Sequence, residues 1–394
     1  MLCLNNEEKF NRYGYYLAGL AALASVIAPN IMRVCSYLVI ILVFLRYYNC
    51  KIGIKLDSIL KIGILTFFIG LFLASSFAPN WSKDYHETYT FFEIMWPFLI
   101  SYAFVNNRRQ MVVVVTLLAI SIGVAAVYGI YQGLDGDTVR VTAFFSHPNR
   151  LALFLDIYIP LLYIATFERD ILPRNGRIVT SIILIFAIMA LILTGTRGAW
   201  LAVGITFIAY AMMKIKYNKK IGAVLCLIFL LLVVSLLHVD QVRSRVDTLF
   251  DPQFVSNSER VLIWESAVAM WRDYPITGVG LSSFKAQEVK YISPLHKEVT
   301  AQHAHNNFLN FLAVTGVIGL IAYVVLFTCI IYQLIRYRKN PLAIAVLIST
   351  CNLLLNGLVD YTFGYRPAMQ AYWFTLGLSL VSVKILPKRK EVKL

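Results

Sequence analysis

Apolar runs of roughly twenty residues recur along almost the whole of this 394-residue chain, and they constrain its fold more than any single motif does. A helix rises about 1.5 Å per residue, so about 18–20 apolar residues cross a ~30 Å hydrocarbon core. About twelve such runs stand out, near residues 12–29, 31–46, 59–77, 89–105, 111–131, 149–167, 178–194, 198–213, 221–238, 307–335, 341–359 and 368–386. Hydrophobic residues make up 59% of the chain and the mean hydropathy is +0.69, well above the usage of soluble domains. The sequence therefore predicts an all-α polytopic membrane protein. Glu7, Glu8 and Lys9 stand before the first run and no small-residue cleavage site follows it, so that run is expected to stay as an anchor.

Lysine and arginine set the orientation. Arg46, Lys51 and Lys55, then Arg108-Arg109, Arg169, Arg174 and Arg177, then Lys214 to Lys220, then Arg336 to Lys339 and the tail Lys388-Arg389-Lys390 all fall in one set of loops. Those loops are expected in the cytoplasm. An even number of spans then puts both termini there too, and places the long hydrophilic stretch 239–304, between spans nine and ten, outside. The expected organisation is one membrane domain: spans at 1–238, an external loop with an amphipathic helix at 239–304, and spans with a basic tail at 305–394. The net charge of +15 is dispersed among loops and forms no single patch, which argues against nucleic acid as a partner. Cys3, Cys35, Cys50, Cys226, Cys329 and Cys351 lie in spans or on the cytoplasmic side, so no disulfide framework is implied.

Charges at the outer boundary need hydration, pairing or a use. Thr194-Gly195-Thr196-Arg197-Gly198 joins two apolar runs as a tight external turn, which places Arg197 in the first turn of a helix. The macrodipole is already positive there, and arginine becomes favourable when an anion is bound; the alternative is an arginine that snorkels to headgroup phosphates. Asn257-Ser258-Glu259-Arg260 repeats the pattern ahead of an amphipathic helix, with Asn257 or Ser258 as the expected cap, Arg260 in the first turn and Asp273-Tyr274-Pro275 as the stop. His303-Ala304-His305-Asn306 closes the loop where the next span starts, and a positive helix end keeps an imidazole neutral and able to take a proton. A zinc site is disfavoured. On a helix i and i+2 are poorly aligned, a third ligand such as His296 or Glu298 is distant, and no external cysteine exists. Ser146-His147-Pro148-Asn149-Arg150 with Arg140, and Asp360 with Arg366, flank other spans on the same side; they serve as interfacial anchors, as a pair in the case of Asp360 and Arg366, or as further ligands to a polyanion.

These motifs resemble the O-antigen ligase and Wzy polymerase superfamily. The resemblance is carried by Thr194–Trp200 after a long apolar run, Ser258-Glu259-Arg260, Gly278-Val279-Gly280, Ala304-His305-Asn306-Asn307-Phe308-Leu309 and Thr315-Gly316-Val317-Ile318-Gly319-Leu320. It is strongest over residues 190–320. The resemblance implies a GT-C-type glycosyltransferase at the outer face of a bacterial inner membrane, drawing glycan from an undecaprenyl-pyrophosphate donor. It places Arg197 and Arg260 on the pyrophosphate and His305 as general base, with His303 and Asn306 in support, and it implies no metal and no other cofactor. An O-antigen ligase with lipid A–core as acceptor is the leading expectation. An O-antigen polymerase is the nearest alternative, followed by a protein O-oligosaccharyltransferase. A transporter fits less well, because Asp156 is the main charge within a span.

Overall fold

The computed structural model describes residues 2–135, 140–217, 254–292 and 300–386, with the single positions 243 and 247 between them. The described residues are helical. α1 (Leu2–Ile27) and α2 (Pro29–Cys50) are followed by α3 (Ser58–Ser76), α4 (Trp81–Glu93), α5 (Pro97–Phe104) and α6 (Arg108–Leu134). Next come α7 (Pro148–Phe167), α8 (Arg174–Leu193), α9 (Arg197–Tyr217), α10 (Val255–Asp273) and α11 (Phe284–Tyr291). α12 (Asn307–Arg336), α13 (Pro341–Asn356), a 3-10 turn (Thr362–Gly364) and α14 (Arg366–Ile385) complete the bundle.

By length and composition, six of the described helices can cross a membrane: α2, α3, α6, α7, α8 and α12. α9 (through Met213) and α13 are shorter apolar helices. The run at 221–238, expected as a ninth span, lies outside the described residues. The run at 89–105 is not one helix. Pro97 has no N–H to donate and begins a new helix, α5, whose eight residues extend about 12 Å, too short to cross alone. α4, ahead of it, is amphipathic and carries Asp84 in its first turn.

α7 is the central helix, with 83% of its apolar stretch buried inside the bundle. Its Asp156 is fully enclosed and only partly bonded: Asn356 Nδ2 donates to Oδ2 at 2.6 Å, and Asn352 Nδ2 donates to the Asp156 backbone carbonyl at 2.9 Å. The Thr206 hydroxyl then donates to Asn352 Oδ1 at 2.5 Å, so α7, α9 and α13 are joined by one buried polar chain.

The helices alternate so that one end of the bundle gathers the site and the other gathers basic residues. Arg108 starts α6, Arg174 starts α8 and Arg336 ends α12, all away from the turns at 140–149, 194–197 and 303–307. Near that basic end Arg46 bonds Asn11 at 3.1 Å, and Lys384 and the Lys55 carbonyl both bond Tyr102 Oη, so the start of α1 and the end of α14 share it.

A kink in α12 locks the loop helix α10 in place. Gly316 interrupts α12 at φ 61°, ψ −161°, which leaves backbone groups without helical partners. The chain leaving α10 fills them: Val279 and Gly280 donate to the carbonyls of Ala313 and Val314 at 2.9 and 3.0 Å, and Val317 donates to Pro275 O at 3.0 Å. A Cβ on Gly316 would sit 2.3 Å from the Ile276 backbone, and one on Gly278 2.3 Å from that of Val314. Both glycines are therefore needed for two backbones to touch. Ile263, Ala267 and Met270 of α10 pack with Ala313 and Val314 of α12 in a small separate core. The apolar side of α10 thus lies on the bundle. On the other flank, the Ser282 N–H and hydroxyl both donate to buried Asp84, which ties α4 to the same loop.

Candidate active site

The three residues His305, Asn306 and Asn307 each reach the same partner segment, 357–363, and this clamp builds the site. Asn307 is fully buried: its Nδ2 donates to Thr362 Oγ1 at 2.8 Å and to Tyr323 Oη at 3.1 Å, its Oδ1 accepts from Phe363 N at 3.2 Å, and its own N–H donates to Gly357 O at 2.7 Å. Asn306 caps α12, accepting from Leu309 N at 3.0 Å, while its Nδ2 donates to Leu358 O at 2.9 Å. Rings of Phe67, Phe91, Phe311 and Tyr323 surround Phe363 at 5.4–5.7 Å between centroids and hold the 3-10 turn against α3, α4 and α12. The result is to present Asp360 to His305.

His305 Nδ1 lies 3.2 Å from Asp360 Oδ1. A carboxylate only accepts, so Nδ1 carries the proton and Nε2 carries the lone pair. The side chains are 32% and 19% exposed, open enough for a ligand to reach. Asp360 has its remaining valences filled: Tyr361 N donates to Oδ1 at 2.8 Å and Asn149 Nδ2 to Oδ2 at 3.0 Å. Burial alone would raise its pKa, but the hydrogen bond and charge of His305, then His303 and the Tyr361 N–H, outweigh it and hold the carboxyl below its ordinary value. Asn149 relays the contact outward, its Oδ1 accepting from Arg140 Nη2 at 2.9 Å.

The two loop histidines have opposite hydrogen-bond polarity. His303 Nδ1 accepts from the His305 N–H at 3.4 Å, which leaves Nε2–H as the group it can offer. Burial, with the neighbouring His305, pushes its pKa down to about 4 despite the attraction of Asp360. On a helix the pair would be poorly aligned. Instead, His305 adopts φ 47°, and this left-handed turn brings the rings to 4.4 Å. His303, His305 and Asp360 consequently place nitrogen and oxygen donors within 4.8 Å of one another, so the third donor thought to be distant is supplied by Asp360. Both Nδ1 atoms are already engaged, one as donor to the carboxylate and one as acceptor from the backbone. That pattern accounts for the cluster as a hydrogen-bonded side-chain network.

A cavity of about 230 Å³ opens in front of His305, lined by Arg140, His147, Arg197, Glu259, Arg260 and Asp360, among others. Three arginines face two carboxylates there, so the cavity attracts anions. Arg197 is the first residue of α9, as expected, and its Nη2 donates to Asn257 Oδ1 at 2.7 Å while the guanidinium covers the Phe254 ring at 5.0 Å. Arg260 was expected in the first turn of its helix under an Asn257 or Ser258 cap. α10 in fact starts at Val255 with Phe254 at the cap, Ser258 Oγ bonds back to Val255 O, and Arg260 lies in the second turn. The helix runs a turn further back because Asn257 serves Arg197. Arg260 still lines the cavity. Arg140 reaches it by folding over Gly195 (φ 62°), where Nε donates to Thr194 O at 2.7 Å.

Two other candidates lie elsewhere. Arg150 bonds Ser146 Oγ at 2.5 Å, stacks on Tyr365 at 5.0 Å and does not line this cavity. Arg366 does not pair with Asp360, because the 3-10 turn separates them; it bonds Glu87 Oε2 of α4 at 2.8 Å. Sequence reasoning passed over His147 as a site residue. Its Nδ1 accepts from Asn149 N at 3.2 Å, so a neutral ring offers Nε2–H to the cavity. Burial and the cations Arg140 and Arg150 lower its pKa. The signal was there in Ser146-His147-Pro148, a cap residue before a helix-starting proline.

No curated protein matches the chain. Residues 182–324, which run from the middle of α8 into α12 and contain Arg197, Arg260, His303 and His305, match the family model described as O-Antigen ligase. Over that segment, and with the cavity residues it contains, the chain is similar to the O-antigen ligase family.

Proposed function

We propose that the chain is a GT-C-type O-antigen ligase of the bacterial inner membrane, with its site on the periplasmic face. It transfers glycan from undecaprenyl pyrophosphate to a sugar hydroxyl of lipid A–core. The observation that carries this reading is the convergence in one cavity of a carboxylate-oriented histidine and arginines from separate segments. The acceptor hydroxyl attacks the anomeric carbon while His305 Nε2 takes its proton. The bond from that carbon to the pyrophosphate oxygen breaks, and Arg197 and Arg260 neutralise the charge that develops on the leaving group. Asp360 stabilises the imidazolium so formed, as in other carboxylate–histidine pairs. An in-line displacement of this kind inverts the anomeric configuration.

Deletion of the gene followed by lipopolysaccharide gels tests the reading. Loss of a ligase leaves lipid A–core bare while carrier-linked polymer accumulates; loss of a polymerase leaves core capped with one repeat. Complementation with His305→Ala should fail to restore the ladder although the protein inserts normally, and restoration would remove His305 as the base. Arg197→Lys and Arg260→Lys keep charge but lose the planar fork. Unchanged donor KM in both would argue against a geometric pyrophosphate clamp.

A further inference from the structure

A second cavity, of about 110 Å³, lies on the far side of the histidine pair. It shares no lining residue with the first. His305 and Asp360 face the first cavity, whereas their neighbours His303 and Tyr361 face the second. The wall between them is thus two side chains from 303–305 and two from 360–361, with the imidazoles 4.4 Å apart and His303 against Tyr361 at 5.2 Å. Two ligands seated in these cavities would meet at the His303–His305 edge.

The chemistry of the second cavity differs from that of the first. Its only opposite charges, Glu87 and Arg366, are joined to each other at 2.8 Å, so it offers no net field to an anion. What it offers is a set of neutral or paired hydrogen-bonding groups beside aromatic rings: His303 Nε2–H, Gln302, Glu87 and Arg366, with Phe91 and Tyr361. That combination of apolar walls and a few convergent polar groups suits a ligand dense in hydroxyls and poor in charge. At roughly 10–15 Å³ for each water, the volume holds about eight waters, the scale of one monosaccharide ring with its hydroxyls.

We propose that this second cavity is the acceptor subsite, seating one neutral pyranose ring against His303 with a hydroxyl directed across the histidine pair to His305 Nε2. The proposal rests on the glycosyl-transfer reading above and locates its second substrate. It also gives the two histidines separate tasks. His305 takes the proton, and His303, whose free nitrogen bears hydrogen, donates to a ring oxygen or hydroxyl and positions the acceptor. A pyranose can come from lipid A–core or from a second carrier-linked repeat, and both present the same chemistry.

The test uses the full chain in nanodiscs with an undecaprenyl-pyrophosphate-linked glycan as donor and, in separate arms, lipid A–core or a carrier-linked repeat as acceptor. Gln302 is exposed, so Gln302→Trp can fill the cavity with little cost to folding, which thermal melting checks. Arg366→Gln provides a second, polar perturbation. The expected result, in whichever arm the wild type is active, is an acceptor KM raised at least tenfold by Gln302→Trp and severalfold by Arg366→Gln, with donor KM within twofold. Acceptor KM unchanged in both folded variants overturns the subsite while leaving the transfer reading intact. A wild-type enzyme inert in both arms overturns the transfer reading, and the subsite with it.

Discussion

Replacing Asp360 by asparagine isolates the orienting carboxylate from the rest of the cavity. In the proposed reaction His305 becomes an imidazolium 3.2 Å from Asp360 Oδ1. Two unit charges at that distance attract by about 5 kcal/mol at an effective dielectric constant of about 20. The side chains are 32% and 19% exposed, so solvent screening reduces this by about half, to roughly 2–3 kcal/mol. Since ~1.4 kcal/mol is a factor of ten, kcat should fall by about 30- to 150-fold. An asparagine amide that donates to Nδ1 would also select the other tautomer, place a proton on Nε2 and deepen the loss. Donor KM should hold or fall, because the substitution removes one of two carboxylates from a cavity already lined by three arginines. The assay is steady-state transfer with purified enzyme at varied donor, with melting curves to confirm folding. A folded Asp360→Asn enzyme whose kcat stays within threefold of wild type would refute the pairing as a catalytic device and leave the contact merely structural.

His303 has a folded pKa of about 4, below an ordinary value of 6.5, so the unfolded chain binds more protons between those limits. Stability should therefore fall as pH drops from 6.5 to 4, and His303→Gln should flatten that part of a melting-temperature profile; an unchanged slope contradicts the buried neutral ring. His147→Ala removes a neutral donor from the proposed donor site, worth about 1.5–3 kcal/mol, so donor kcat/KM should drop roughly 10- to 150-fold while His147→Gln recovers most of it. Equal loss in both variants would show that the N–H is not what matters. Gly316→Ala forces a Cβ to within 2.3 Å of the Ile276 backbone at positive φ and should cost more than about 3 kcal/mol, seen as lost folded yield; wild-type melting would mean the loop does not depend on this approach. Transfer should survive chelation of divalent metals, and loss reversed by added cation would instead make His303, His305 and Asp360 a metal site.

Much of the bundle was legible because membrane helices announce themselves by length and apolarity. α6, α7, α8 and α12 fall almost where the runs do. The run at 89–105 misled because hydropathy alone does not weigh the proline at 97, which lacks an N–H and restarts the helix. The helix of Arg260 was read one turn short for a related reason. Capping preference treats Asn257 and Ser258 as local residues, but Asn257 is taken by Arg197, sixty positions away. Propensity yields when a tertiary partner offers a charged donor.

The site itself shows where local reading stops. His305, Arg197 and Arg260 could be singled out because local sequence puts each at a helix start, where a dipole makes a charge or a proton conspicuous, although Arg260 proves to lie a turn further in. Asp360 could not be assigned that way. Its nearest opposite charge in sequence is Arg366, so a pair with Arg366 stands beside the anchor and polyanion readings. What separates them is the packing of Phe363 among Phe67, Phe91, Phe311 and Tyr323, which turns the chain between them and swings Arg366 to Glu87. The same packing, pinned by Asn307, is what delivers Asp360 to His305. The pairing of His305 with Asp360 is thus a consequence of aromatic contacts between residues far apart in sequence. A substitution of Phe363 that keeps the helices folded should release Asp360 from His305 and Arg366 from Glu87 together, because one turn holds both.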